Sequence, residues 1–422
     1  MIFTNALAQT TAQSQAPAGA GAPPDYGNSW IFSRGMKTKA KQVVSPHSAR
    51  CVASFYRGTN ILSDDVAAMP LQQYRRTGGK IQQISADPIT RNMAYLVGKS
   101  PNRWMTPFIF KKTVIMWLIF WGNGLIWSPP GTPRELFILP TSVTQPLFDA
   151  DSNLWYQVLF PNGRTKYIPA VEVLHLMINS TNGIWGRSVL EYAAETLGRQ
   201  LGAYNTQSMI QGQGLNPAAY IQMAGPLDKT GRDNTREAYE EAISGAEGAG
   251  RLAVFDNKVV KFEAISMKMT DAQFLESVQA TDKDVANFLG LPEYKLNAGK
   301  QSYQSNEQSD IDYLKTTLDP TYLVQWEEAA YLKWQSESEQ KDTYFKFVRE
   351  SVLRTSAKTR AELNEIYLRT RQRTPDEMRE KDDYGASSDG GGDKFYLTTS
   401  YAVSDPDHVS ANEPAPQDGA PQ

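Results

Sequence analysis

The sequence predicts an α+β protein, with long amphipathic helices and short strands built around a large core. Three observations predict it. Hydrophobic residues make up 41% and charged residues 21% of the 422 positions, the balance of a globular chain with room for about two to four structural units. Strand-like alternation is concentrated between Glu135 and His175, where Tyr156, Val158 and Phe160 alternate with Gln157 and Leu159. Helical periodicity takes over after Ser188, with Leu190, Ala193, Leu197, Leu201 and Tyr204 at steps of three and four.

Residues 1–33 are rich in Ala, Gln, Thr, Gly and Pro, too poor in apolar surface to offset the cost of ordering, and read as a flexible tail. The opening MIFTNALAQTTAQSQA has no basic segment and an interrupted apolar run, so no signal peptide is expected. Cys51 is alone, which excludes an intrachain disulfide and suits a reducing cytoplasm. In the run Ala49-Arg50-Cys51-Val52-Ala53 it is expected to be a small buried residue. A helix is expected from Val52 to Ala68, stopped by Pro70, with a strand over Leu71 to Arg75. The uncharged stretch Thr113 to Trp127 falls short of the roughly 20 residues that span a bilayer. Broken by Gly122-Asn123-Gly124, it reads as a buried helix turning into a strand, and no membrane contact is expected.

Turn signals at Asp149, Pro161-Asn162-Gly163 and Pro169 divide the strand block. The helix from Ser188 to about Gln211 ends before Asn216-Pro217. A compact insert follows, with a strand at Ala219 to Met223, a charged helix near Asn234 to Ser244, a turn at Gly245 to Gly250, and a strand at Leu252 to Phe255. A second helix, about Asp271 to Leu289, carries Phe274, Val278, Val285 and Phe288 on one side and stops at Gly290-Leu291-Pro292. The polar segment to Gln304 is helix-poor. A long helix then runs from about Asn306 to Trp334 with Pro320 inside it, where the missing N–H and the ring should kink it. Two shorter helices follow, the second opening on the capping box Thr374-Pro375-Asp376-Glu377.

Charge is uneven along the chain. Arg34 to Lys80 holds nine basic residues against Asp64 and Asp65, while Asp382 to the end holds eight acidic residues against Lys394. Such ends suit contacts between copies or with different partners, or are simply solvated faces. The net charge of −3 argues against a protein that grips nucleic acid along a broad basic surface.

Residues that carry chemistry are scarce. His47 and His408 lie in polar segments, and His175 sits in the strand pattern Val173-Leu174-His175-Leu176 as a satisfied core or edge histidine. One cysteine and scattered histidines make no zinc site of ordinary spacing. There is no G-x-S-x-G elbow, and the glycines at 212–214 and 245–250 lack the lysine and hydroxyl of a phosphate loop. Asp64-Asp65 and Asp382-Asp383 read as surface or capping residues. Neither a catalytic residue nor a metal nor a cofactor is expected.

Several short runs, in order, resemble the portal protein family of tailed bacteriophages. Val66-Ala67-Ala68-Met69-Pro70-Leu71 with Tyr74-Arg75-Arg76 is similar to its helix-to-strand entry. Pro101-Asn102-Arg103-Trp104-Met105-Thr106 and Trp121-Gly122-Asn123 resemble its P-N-x-x-M-T and W-G-N signatures. Asn182-Gly183-Ile184-Trp185-Gly186-Arg187-Ser188 resembles its G-x-x-G-x-S-P turn, with Val189 in the place of proline. Asp271 to Glu276, Gly290-Leu291-Pro292, Tyr303 to Gln308 and Thr317-Leu318-Asp319-Pro320 resemble its channel helix, G-V-P stop, Y-S-N-x-E-Q start and T-L-x-P kink. The likeness runs from about residue 49 to about 400.

The resemblance implies a portal fold and a dodecameric ring that passes double-stranded DNA at one capsid vertex. It divides the chain into a wing (34–187), a first stem helix (188–215), a clip (216–265), a second stem helix (266–290), a tunnel loop (291–306), a kinked helix returning to the wing (307–348), crown helices (349–384) and an acidic tail (385–422). It also implies partners: the major capsid protein, the terminase large subunit as the separate motor, and a head–tail adaptor. The setting would be the virion, with assembly in the host cytoplasm. In the tunnel loop, Lys295, Asn297, Lys300 and Gln301 would face DNA from an exposed segment between Tyr294 and Tyr303; the alternative is exposed lysines with no DNA role. In the clip, Glu237, Glu240 and Glu241 would face the motor or adaptor; the alternative is a solvated helix face. An adaptor or tail ring, or an enzyme with an unrecognised site, are the competing readings.

Overall fold

The computed structural model describes residues 35–131, 134–160, 163–212, 219–223, 229–230, 233, 259–264, 281–296, 303–349, 364–370, 372–381, 384–387, 392–393 and 395. The chain divides into two compact units, Met1–Leu353 and Arg354–Gln422.

The core of the first unit begins with two helices. Helix α1 (Ala53–Ala68) buries Phe55, Leu62, Val66 and Ala67, four residues on one face. It lies against α2 (Pro107–Trp121), whose apolar residues run all round its axis because it is covered on most sides. Phe55 meets Phe120 edge-on, with ring centroids 5.8 Å apart. Each such fully buried side chain contributes roughly 1.5–3 kcal/mol. Thr106 caps α2, its hydroxyl accepting from the Ile109 N–H, and Pro107 occupies the first turn where no donor is needed. As the uncharged run predicts, α2 turns at Gly122 (φ 79°) directly into strand β1 (Asn123–Trp127).

All five residues of β1 are buried, because its sheet separates two cores. β1 is the central strand, paired antiparallel with β2 (Phe137–Leu139) on one side and β3 (Val173–Met177) on the other. Ile126, Ile138, Leu174 and Leu176 join the large helical core. Leu125, Trp127, Phe137, Leu139 and Val173 point to the opposite face and join a second core. Side chains alternate across a strand, so a central strand between two cores reads as an unbroken apolar run. The second core is closed by the meander β4 (Thr144–Phe148), β5 (Leu154–Leu159) and β6 (Thr165–Pro169), which contributes Tyr156, Val158 and Ile168. Asp149 makes the first hairpin turn, its Oδ1 accepting from the N–H groups of Asp151 and Asn153.

Helix α3 (Val189–Gly212) buries Leu190, Ala193 and Leu197 of the expected stripe, while Leu201 and Tyr204 are half-buried. Strand Ala219–Met223 forms where the alternation placed it and pairs with Val259–Ala264, a strand the sequence reading did not include. The expected charged helix and the strand Leu252 to Phe255 lie outside the described residues. Residues 281–289 are helical. Val285, Ala286 and Leu289 are buried there, whereas Phe288, expected on the apolar side, is exposed. Leu289 lies closer than Phe288 to the angular position of Val285, since each residue advances about 100° around a helix. Gly290 (φ 65°) ends the helix in the left-handed conformation.

The long helix runs unbroken from Tyr303 to Trp334, as α4 (Tyr303–Tyr313), a π-helical stretch (Leu314–Leu323) and α5 (Val324–Trp334). After it, Thr343–Phe347 returns to pair with Leu71–Thr77, which also pairs with Lys80–Gln83. Cys51 is a correction: it is exposed, because Ala49 and Val52 take the inward positions of that turn. Asp64 is a surface residue as expected, whereas Asp65 turns inward. Asp64 lies 2.6 Å from Lys112, and Asp65 holds Lys295.

In the second unit, helix Pro375–Lys381 opens with the reciprocal capping box. The Thr374 hydroxyl accepts from the Glu377 N–H, and the Glu377 carboxylate accepts from the Thr374 N–H. Asp376 receives the Ser387 N–H, and Arg379 donates to the Gly385 carbonyl, which folds the following segment back on the helix.

Candidate functional site

Two groups of sequence-matched residues converge. Gly122, Asn123, Gly186 and Ser188 come from runs about 60 residues apart, yet they form one buried joint. A Cβ on Gly122 would lie 2.4 Å from the Arg187 carbonyl carbon, and one on Gly186 would lie 2.1 Å from the Gly122 oxygen. Only glycine at both positions lets the two backbones meet. Asn123, fully buried, fills the joint: its Oδ1 accepts from the Gly186 N–H at 2.6 Å and His175 Nε2 at 2.9 Å. Its Nδ2 donates to the carbonyls of Trp121 and Gly186. Ser188 donates to the Phe120 carbonyl at 2.7 Å and accepts from the Leu190 N–H, opening α3 against the end of α2. Asn102 acts similarly in its own run, capping Trp104 and Met105 and donating to the Leu136 carbonyl. His175 is satisfied on both nitrogens, with Tyr156 on the other side at 2.9 Å. Burial and, less, the Lys333 charge push it down to about 3, a neutral structural histidine.

The second convergence lies at 290–296, the root of the expected loop. Leu291 and Leu296 are buried, and the Gly290 carbonyl accepts from Thr317 at 2.8 Å. Lys295 was expected to be exposed. It is not: its side chain is 16% exposed, with Nζ 3.4 Å from Asp65 and 3.1 Å from Asp310. The ammonium also sits 4.5 Å from the centre of the Tyr313 ring. Tyr294 donates to Asp310. Burial holds the Asp65 carboxyl above its ordinary range, and the nearby Lys295 charge offsets only part of that. The lysine turns inward because two carboxylates on packed helices await it, a placement that no local pattern encodes.

Asn297, Lys300 and Gln301, and in the insert Glu237, Glu240 and Glu241, lie outside the described residues. Pro320 lies in the π-helical stretch, where the Val324 N–H reaches back five residues to the Asp319 carbonyl. The wider turn is how the helix passes a residue with no donor and a ring in its path. Arg349, not singled out in the sequence, braces this stretch: it contacts Asp319 and bonds Glu327 at 2.8 Å, while Glu327 also accepts from the Phe347 N–H. Its only sequence signal was an arginine shortly after the long helix.

Among known proteins, a family profile described as "Phage portal protein" matches residues 53–383. A probable portal protein of Streptomyces phage phiC31 is 24% identical over 387 residues, covering 86% of this chain and 81% of that one. The portal protein of Enterobacteria phage HK97 is 22% identical over 288 residues, 65% of each chain. Among solved structures, the crystal structure of an HK97 family phage portal protein from Corynebacterium diphtheriae is similar with a TM-score of 0.54 and 16% identity, covering 76% of this chain and 98% of that one. A chain from the virion of a native gene transfer agent particle is similar with a TM-score of 0.53 and 17% identity, covering 87% and 97%.

Proposed function

The chain belongs to the phage portal protein family, and from that premise we propose how its parts serve the ring. Copies of this protein form the ring at one capsid vertex through which double-stranded DNA is packaged and later ejected. The observation that carries this is the family match across residues 53–383. The protein is structural and not an enzyme, so the terminase large subunit supplies the work of packaging. It docks on the insert at 216–265, where a head–tail adaptor later replaces it, and the major capsid protein surrounds the ring. Residence is the portal vertex of the virion, reached by assembly in the host cytoplasm.

A twelvefold ring is the proposed closure, in which each subunit presents one face to its neighbour by heterologous contact. A related neck, that of a native gene transfer agent particle, was computed with C12 symmetry, which supports the number. The net charge of −3 fits the task, because a channel must pass DNA and not hold it. Each phosphate neutralised adds salt-dependent affinity, and twelve basic loops would make a trap. Lys300, with Asn297 and Gln301, would then make the few loop contacts to the duplex. Purified protein imaged by negative stain should show rings with a central channel, and native mass spectrometry should give one large oligomer. Monomers or dimers alone, across a range of protein and salt concentrations, would count decisively against it.

A further inference from the structure

The side chain of Lys295 is occupied three times over. Two carboxylates from separate helices neutralise it, Asp65 at the end of α1 and Asp310 in α4, and Tyr313 lies under it. Its own N–H donates to the Pro292 carbonyl at 3.0 Å, so backbone and side chain are both tied. The residues either side of it in the core are fixed too: Leu291 and Leu296 pack where Gly58 of α1 leaves room, since a Cβ there would lie 3.1 Å and 3.5 Å from them. To reach a phosphate, Lys295 would have to give up both ion pairs for one that water screens more strongly.

Building on the reading of 291–306 as the channel loop, we propose that Lys295 is a positioning residue that pins the root of that loop to Asp65 and Asp310 and does not itself contact DNA. The pin holds the root of the loop against the helices two residues before Asn297. It also ties the root of the loop to α1 through Asp65.

Hydrogen exchange on assembled full-length protein tests the pin, and salt-dependent DNA retention tests the absence of a phosphate contact. In Lys295→Met, amides 293–296 should exchange about tenfold faster, the equivalent of about 1.4 kcal/mol. Lys295→Arg, which keeps the charge between the two carboxylates, should exchange like the parent, and Asp310→Asn should fall between. The slope of log retention affinity against log salt should be the same in Lys295→Met as in the parent, whereas Lys300→Ala should flatten it. Unchanged exchange in Lys295→Met, or a flattened slope in that variant, overturns the proposal. The underlying reading fails separately: if Lys300→Ala and a loop shortened at 297–302 both retain DNA like the parent, the loop does not serve DNA, while the exchange result still decides the pin.

Discussion

Asn123 Oδ1 and His175 Nε2 lie 2.9 Å apart inside the joint between the end of α2 and the turn before α3, and their contact fixes the state of both residues. The Asn123 amide cannot flip, because its Nδ2 donates to two carbonyls and its Oδ1 accepts the Gly186 N–H. Its oxygen therefore faces the histidine, which must carry its proton on Nε2 and accept at Nδ1 from Tyr156.

Asn123→Ala removes four hydrogen bonds and leaves the buried Gly186 N–H without its acceptor. A loss of roughly 3–5 kcal/mol is expected in denaturant unfolding, more than a typical core truncation of the same volume. A loss under about 1 kcal/mol would show that water replaces the side chain at no cost.

The histidine predicts an acid limb. His175 is held neutral, its folded value pushed down to about 3 by burial, below an ordinary 6.5. The unfolded chain therefore binds the extra proton first. Stability is complete above about pH 6.5 and falls progressively as pH drops toward 3. Parent and His175→Gln unfolding curves taken at pH 7, 5.5 and 4.5 should converge as the pH falls, and parallel losses in the two would count against it.

Lys111 has the same sign of pH linkage as His175, but its window lies on the alkaline side. It is 6% exposed, surrounded by Leu71, Leu96, Phe110, Trp326 and Trp334, and donates to the Met69 carbonyl. Burial pushes its amine down to about 8. Below that pH the charged form costs on the order of 3 kcal/mol, and stability recovers as pH rises from 8 toward 10.5. Lys111→Met should raise unfolding stability at pH 7 by roughly 1–3 kcal/mol and remove the alkaline rise. A less stable variant would mean that the Met69 contact outweighs desolvation.

The insert carries a partner prediction. Reversing Glu237, Glu240 and Glu241 together to lysine should leave ring formation intact and lower packaging. Full packaging by a triple-reversed ring would remove the glutamates from the motor and adaptor surface.

What the sequence by itself determined is local. The period of three to four placed α3, the period of two placed the meander, Gly122 and Gly290 marked turns, and the Thr374 capping box was readable to the residue, because each depends on neighbours within one turn. Short runs also carried the family, which the profile match over 53–383 shows. The tertiary structure decided the rest. It brought Trp121-Gly122-Asn123 onto Gly186-Arg187-Ser188, gave Thr343–Phe347 a partner in Leu71–Thr77, and put Cys51 and Phe288 outside. It widened the helix at Pro320 into π geometry where a simple kink was expected. Most plainly, it turned Lys295 inward. A lysine in a polar loop is solvent-facing by every local rule, and the two carboxylates that outcompete water for it come from helices 230 and 15 residues away. Charge burial depends on which distant partners packing brings within about 4 Å, and that distance is not written in any window of sequence.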